Sequence, residues 1–284
     1  MDGTTTKVRL MTEADIDFGM ELKNIAGWNQ LPSDWARLIA LEPEGCFVAT
    51  IDGQNVGTAT TTTYEAKFGW VAMVLVHPDH RRKGIGTTLL DACISYLQGK
   101  VATVKLDATP MGKKLYDTLG FVDEYMMERW MGRGTAPTEI RGIAPVTEVE
   151  LDALCEFDLP VFGADRSRLL RRFLAEPTTI SVCMMDGRQM LGYGVARPGY
   201  NSWQIGPVVA GNQSVAEKLF RALLGSFPGE PVFADLLMPN PHILDLVRSL
   251  ALEKQRYLIR MHKGPNLHPG HPEYVYAAAG PEKG

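Results

Sequence analysis

Slid against itself, the 284-residue chain matches near an offset of 134, and this internal echo limits its fold more than any other feature. Glu42-Pro43 returns as Glu176-Pro177, and Asp52-Gly53 as Asp186-Gly187, both 134 residues on. Gly57 finds Gly192 at 135, while Trp70 and Val76 find Trp203 and Val209 at 133. Leu106 meets Leu237, and Leu119-Gly120-Phe121 meets Leu250-Ala251-Leu252, at 131. Matches kept in one order, with a slowly drifting offset, imply two copies of one fold. A length a little under two ordinary domains agrees.

Hydrophobic periodicity gives both copies the same run of elements. In the first, residues 46–51 and 55–63 read as strands joined through Asp52-Gly53, a dipeptide that supplies the φ > 0 position of a tight hairpin. Residues 69–76 are apolar at nearly every position, the pattern of a strand buried on both faces. Leu89, Leu90, Cys93, Ile94 and Leu97 predict a helix over 87–97, followed by a strand over 101–107. Pro110 then opens a short helix that Gly120 stops. The second copy repeats strands near 180–185, 190–196 and 203–209, a helix over 214–224, a strand over 232–237 and a helix about 241–250. The expected fold class is α/β, two tandem domains that each carry a mixed twisted sheet flanked by helices. Glycines and prolines at 132–145 place the boundary, giving domains 1–134 and 135–284. After Gly264 the chain is rich in Pro, Gly and His and reads as a loosely packed, flexible tail.

Composition excludes several classes of function. With 45% apolar and 22% charged residues the chain is neither disordered nor fibrous. A net charge of -4 lacks the basic footprint of a nucleic-acid binder. No run approaches the roughly 18 apolar residues that span a bilayer. The start, Met1-Asp2-Gly3-Thr4-Thr5-Thr6, has no apolar core of a signal peptide. Cys46, Cys93, Cys155 and Cys183 are scattered with no C-x-x-C pair, so they read as reduced, small apolar residues, with no metal expected. The expectation is a cytoplasmic protein without nucleic-acid or membrane partners; its oligomeric state stays open.

The chemistry concentrates in Val71–Thr88, numbered 71–88, where the buried strand runs into His77-Pro78-Asp79-His80-Arg81-Arg82-Lys83-Gly84-Ile85-Gly86 and then directly into a helix. Amides at a helix N-terminus lack intrahelical partners and favour an anion. Gly84 and Gly86 let the backbone approach it, and Arg81, Arg82 and Lys83 add positive charge. A diphosphate suits such a turn.

Arg81-Arg82-Lys83-Gly84-Ile85-Gly86 resembles the Q/R-x-x-G-x-G/A signature of the GCN5-related N-acetyltransferases (GNAT superfamily). Val76-His77-Pro78 and Leu115-Tyr116-Asp117-Thr118-Leu119-Gly120-Phe121 fall where that family carries V-x-P and L-Y-x-x-x-G-F. The second copy, including Phe162-Gly163-Ala164-Asp165-Arg166-Ser167, resembles the acetyltransferase-like C-terminal domain of tandem, YitH-type members. The resemblance implies acetyl-CoA as cosubstrate. Val74, Leu75 and Val76 would pair with its pantetheine arm, and Arg81, Arg82, Lys83, Gly84, Ile85, Gly86 and Thr87 would hold its pyrophosphate. It also places Tyr116 near the thioester sulfur.

Amine acetylation needs a neutral amine and a proton for the departing thiolate. Tyr116 is the candidate general acid, since a phenol near pKa 10 matches a thiolate in basicity. Where several relatives carry a basic glutamate, six residues before Val76, this chain has Trp70. Glu65 is a weaker alternative base, and Thr109 stands where relatives have a cofactor-bonding Asn. In the second copy, Ala210-Gly211-Asn212-Gln213-Ser214 lacks the bases and the paired glycines, and Val247 replaces the tyrosine. That copy is expected not to bind CoA. The reading is an N-acetyltransferase that acts on a primary amine, a small molecule favoured, by direct attack in a ternary complex. The alternative is a CoA-binding sensor without turnover.

Overall fold

Short apolar runs separated by turn residues lay five strands side by side early in the chain. In the computed structural model, which describes residues 6–284, these are β1 (Lys7–Leu10), β2 (Cys46–Ile51), β3 (Gln54–Tyr64), β4 (Phe68–Val76) and β5 (Thr103–Ala108), neighbours in that order. Helices α1 (Ile16–Ile25) and α2 (Pro32–Leu41) lie between β1 and β2 in sequence, and α3 (Ile85–Leu97) links β4 to β5. Asp52 and Gly53 take φ of +49° and +80°, as a tight hairpin requires. β4 and β5 then run parallel, because α3 carries the chain back across the sheet. That helix lies very close: a Cβ at Gly69 would sit 2.6 Å from the Leu97 side chain, and one at Gly57 3.0 Å from Leu89. These elements, to Leu106, form one unit together with His262–Leu267.

The second unit holds residues 107–261 and 268–284. In chain order its elements are α4 (Pro110–Thr118), β6 (Val122–Arg133), β7 (Ile143–Pro145), α5 (Leu151–Phe162), α6 (Ser167–Leu174), β8 (Ile180–Asp186), β9 (Gln189–Arg197) and β10 (Trp203–Ala210). They continue with α7 (Gln213–Leu224), β11 (Pro231–Leu237), α8 (Ile243–Ser249), β12 (Glu253–Lys263) and β13 (Val275–Ala277). The sheet order is β12-β6-β11-β10-β9-β8-β7, with β13 on β10. Its core sets Val215, Leu219, Phe220 and Leu223 of α7 against Ile205, Val208, Val232 and Leu236. Apolar residues at helical spacing on one side and alternating strand residues on the other make that packing.

The repeat extends to an irregularity that periodicity does not reveal. Thr60 pairs with Ala72 but Thr58 with Leu75, so two residues of β4 oppose one of β3 in a bulge. Ala196 pairs with Ile205 but Gly194 with Val208, the same bulge between β9 and β10. Met73 sits in the first at φ +51°, and Gly206 in the second at φ +150°. Thr58 Oγ1 donates to the Met73 carbonyl at 2.9 Å and anchors the kink.

By contacts alone, the first unit ends at Leu106, and β6 pairs antiparallel with β11 from Pro231↔Arg133 to Leu237↔Met127. That pairing joins residues on either side of the Gly/Pro-rich stretch 132–145. The C-terminal stretch is not the loose tail that its composition led us to expect. Val275, Tyr276, Ala277, Ala278, Ala279, Glu282 and Lys283 are all buried, because small and apolar residues follow the Pro/Gly-rich segment and supply a strand.

Candidate active site and its repeat

In the first unit, β4 and β5 pair only from Phe68↔Thr103 to Trp70↔Lys105, while β4 continues to Val76. The bulge at Met73 bends β4 as it leaves its neighbour, so Val74, Leu75 and Val76 lie on a length of strand that β5 does not cover. An uncovered strand edge offers alternating N–H and C=O groups to any extended ligand with amides of its own.

Beyond β4 the chain makes a short turn, Pro78–His80, and reaches α3 at Ile85, two residues before the predicted start. Arg81 Nε donates to the Val76 carbonyl at 3.1 Å and Lys83 Nζ to the Asp79 carbonyl at 3.1 Å, so two of the three bases also fasten the loop. Arg82 is exposed at φ +60°. Gly84 is the N-cap of α3 in the left-handed region at φ +79°, where a side chain is strained, and a Cβ there would meet nothing within 4 Å. No side chain caps the helix, so the amides of Ile85, Gly86 and Thr87 face the loop without a side-chain acceptor. Open space, uncapped amides and three bases fit a diphosphate.

Tyr116 lies in the second unit on α4, partly exposed, its ring edge-on to Phe121 at 6.0 Å. A Cβ at Gly112 would lie 3.1 Å from that ring, so a glycine one turn earlier makes room for it. Thr109 Oγ1 accepts from Gly112 N at 3.1 Å, and the hydroxyl is therefore the N-cap of α4. Trp70 is buried. Glu65 stands in the β3–β4 hairpin turn, paired with Lys67 at 2.8 Å and at the other end of β4 from Val76. His77 accepts from Asp79 N through Nδ1 and shapes the turn. Burial raises the pKa of all four thiols, Cys46 to about 12, which leaves no activated thiolate among them.

The second copy carries the same layout with the site closed. β10 and β11 pair from Trp203↔Val232 to Ile205↔Ala234 and then part, as β4 and β5 do. Here Asn212 Oδ1 accepts from Val215 N at 3.0 Å, so α7 caps itself with its own side chain. Asn240 is buried between His242 N, which donates to its Oδ1 at 3.0 Å, and the Val275 carbonyl. Val247 is in the core. The sequence showed the missing bases and glycine; it did not show that Asn212 takes the amides, although an Asn ahead of a helix is the signal for it. Met73, the residue that bends β4, left no mark in the sequence pattern.

Residues 13–121 match the family model described as Acetyltransferase (GNAT) family, and residues 154–277 match that of an Acetyltransferase (GNAT) domain. The chain therefore belongs to the GNAT acetyltransferases, with two such domains in tandem. Holothin acyltransferase of Pseudoalteromonas sp. (strain SANK 73390) is 23% identical over 239 residues, 84% of this chain and 81% of that protein. The uncharacterized N-acetyltransferase YitH of Bacillus subtilis (strain 168) is 26% identical over 175 residues, 61% of each chain. A crystal structure of a putative acetyltransferase from Pyrococcus horikoshii superposes with a TM-score of 0.88 at 24% identity, covering 100% of this chain and 97% of the other; that likeness shows the fold.

Proposed function

We propose that the chain transfers the acetyl group of acetyl-CoA to a primary amine, with a small cationic molecule as acceptor. The observation that carries the reading is the α3 N-terminus, where amides without a side-chain acceptor, open space at Gly84 and three bases follow a strand that has lost its neighbour. In this reading the amides of Ile85, Gly86 and Thr87 and the cations Arg81, Arg82 and Lys83 hold the diphosphate. The free edge of Val74, Leu75 and Val76 pairs with the two amides of the pantetheine arm. The thioester supplies the activated acetyl group: the neutral amine adds to its carbonyl, the C–S bond breaks, Tyr116 gives its proton to the leaving sulfur, and the proton shed by the acylated nitrogen returns through water to restore the phenol. The lack of an activated thiol supports direct transfer over an acyl-enzyme. The acidic net charge supports a cationic acceptor.

Calorimetric titration of acetyl-CoA, together with thiol release over a panel of amines, tests the reading. The parent chain is expected to bind and turn over at least one amine. Gly84→Glu, which adds a negative charge and a strained φ at the helix terminus, is expected to abolish binding; unchanged affinity overturns the site. Tyr116→Phe is expected to lower kcat by at least tenfold and leave acetyl-CoA affinity within about twofold; equal turnover removes Tyr116 from the chemistry. A second reading, a CoA-binding sensor, draws on one observation. Buried Trp70 replaces the strand glutamate, and Glu65 is paired with Lys67 in a distant turn. Binding with no turnover on any amine favours it.

A further inference from the structure

The space between β10 and β11 is filled by the chain itself. Where these strands part, beyond Ile205↔Ala234, β13 enters and pairs antiparallel with β10, Val208↔Ala277 and Val209↔Val275. On its other side Ala278 N donates to the Asp235 carbonyl of β11 at 2.8 Å. The segment thus bridges both walls through its backbone. Gly206 is what admits it: a Cβ there would lie 1.9 Å from the Ala278 carbonyl oxygen, so only glycine permits the approach. Past the strand, the Ala279 carbonyl accepts from Arg197 Nη2 at 2.8 Å and from Gln204 Nε2 at 3.4 Å. The Gly284 carbonyl accepts from Arg166 Nη1 at 3.1 Å. Ala277, Ala278 and Ala279 are buried, so a larger side chain at any of them has to displace packed neighbours.

We propose that the second copy's cleft is a peptide-binding site whose ligand is the chain's own segment 275–284. The class of ligand it takes is an extended peptide with small side chains at three successive positions. Recognition runs through main-chain groups on both strands and through Arg166, Arg197 and Gln204, which read carbonyl oxygens. In the first copy's register this is the space beside Val74, Leu75 and Val76. The proposal is independent of the transferase reading, since it concerns only groups of the second unit.

The test opens the chain ahead of the segment. A protease recognition sequence inserted between Leu267 and His268 lets the intact protein fold before it is cut. After cleavage the 268–284 fragment is expected to co-elute with the body on size exclusion, and to exchange for a fluorescent synthetic peptide of residues 272–284. A peptide with Ala278→Pro, which removes the N–H that bonds Asp235, is expected to bind at least tenfold more weakly, and one with Ala279→Leu likewise. If the body unfolds as the fragment leaves, refolding on adding back the peptide supports the proposal. Loss of the fragment from a body that stays folded and does not take up peptide overturns it. So does unfolding that the peptide fails to reverse, or equal binding of all three peptides.

Discussion

Asp15 shows how much one carboxylate can be held by its surroundings. Arg9 donates to both of its oxygens, at 2.6 and 2.8 Å, and Thr12 N adds a third bond at 2.9 Å. Hydrogen bonds from the guanidinium lower its pKa to about 2 against the opposing effect of burial. A folded pKa below the unfolded value of about 3.9 gives stability that is present above that value and lost as pH falls through about 2. Asp15→Asn is therefore expected to lower the urea midpoint at pH 7, with the gap to the parent closing near pH 2. A gap of equal size at both pH values would refute the linkage. Deeper in the second unit, Arg129 forks onto Asp235 with two bonds of 2.7 Å, both residues buried. Asp235→Ala leaves that guanidinium without its counterion and is expected to cost about 3–5 kcal/mol of unfolding free energy, read by urea titration. In the second unit, polar residue type alone cannot distinguish a ligand contact from a structural pair, as three residues illustrate. Asp165 accepts from Ser167 N, Tyr193 donates to Asp158 at 2.5 Å, and Asp235 serves Arg129.

At the scale of elements, the two corresponding helices α3 and α7 differ at the N-cap. Gly84 leaves the amides of one uncapped, and Asn212 seals those of the other. Asn212→Ala is expected to cost about 1 kcal/mol, measured as a lower urea midpoint. It is not expected to create acetyl-CoA binding, because no base stands in the Ala210–Ser214 turn, residues 210–214, and β13 still occupies the space beyond. Titration of the variant checks both outcomes. The turn that leads into α3 was legible because its determinants are contiguous: an apolar strand, three bases, two glycines and a helix within eighteen residues, 71–88. The bulge was not. Met73 reads as one more apolar residue, and what makes it bend is its register against Thr58 and Thr60, which only the paired strand reveals.

For the whole molecule, the repeat was legible because glycines, turns and tryptophans keep their order through the drift in offset. The long-range strand partners were not, since period and turn signals are local. β6 joins β11, and the first unit takes in 262–267, where Thr103 Oγ1 bonds the Pro265 carbonyl. A cut at the linker is thus expected to yield no autonomous piece. A chain ending at residue 134 should show no cooperative thermal transition, because β6 is left without β11 and residues 103–106 without their returning segment; a sharp two-state melt would contradict the assignment.

The returning segment 262–267 also fixes an order of events at the ribosome. Strands of the first unit emerge early, yet the piece that caps Thr103 and passes within reach of Ala102 at Gly264 follows 162 residues after Thr103. During synthesis, the first unit lacks that contact until residue 267 has left the exit tunnel.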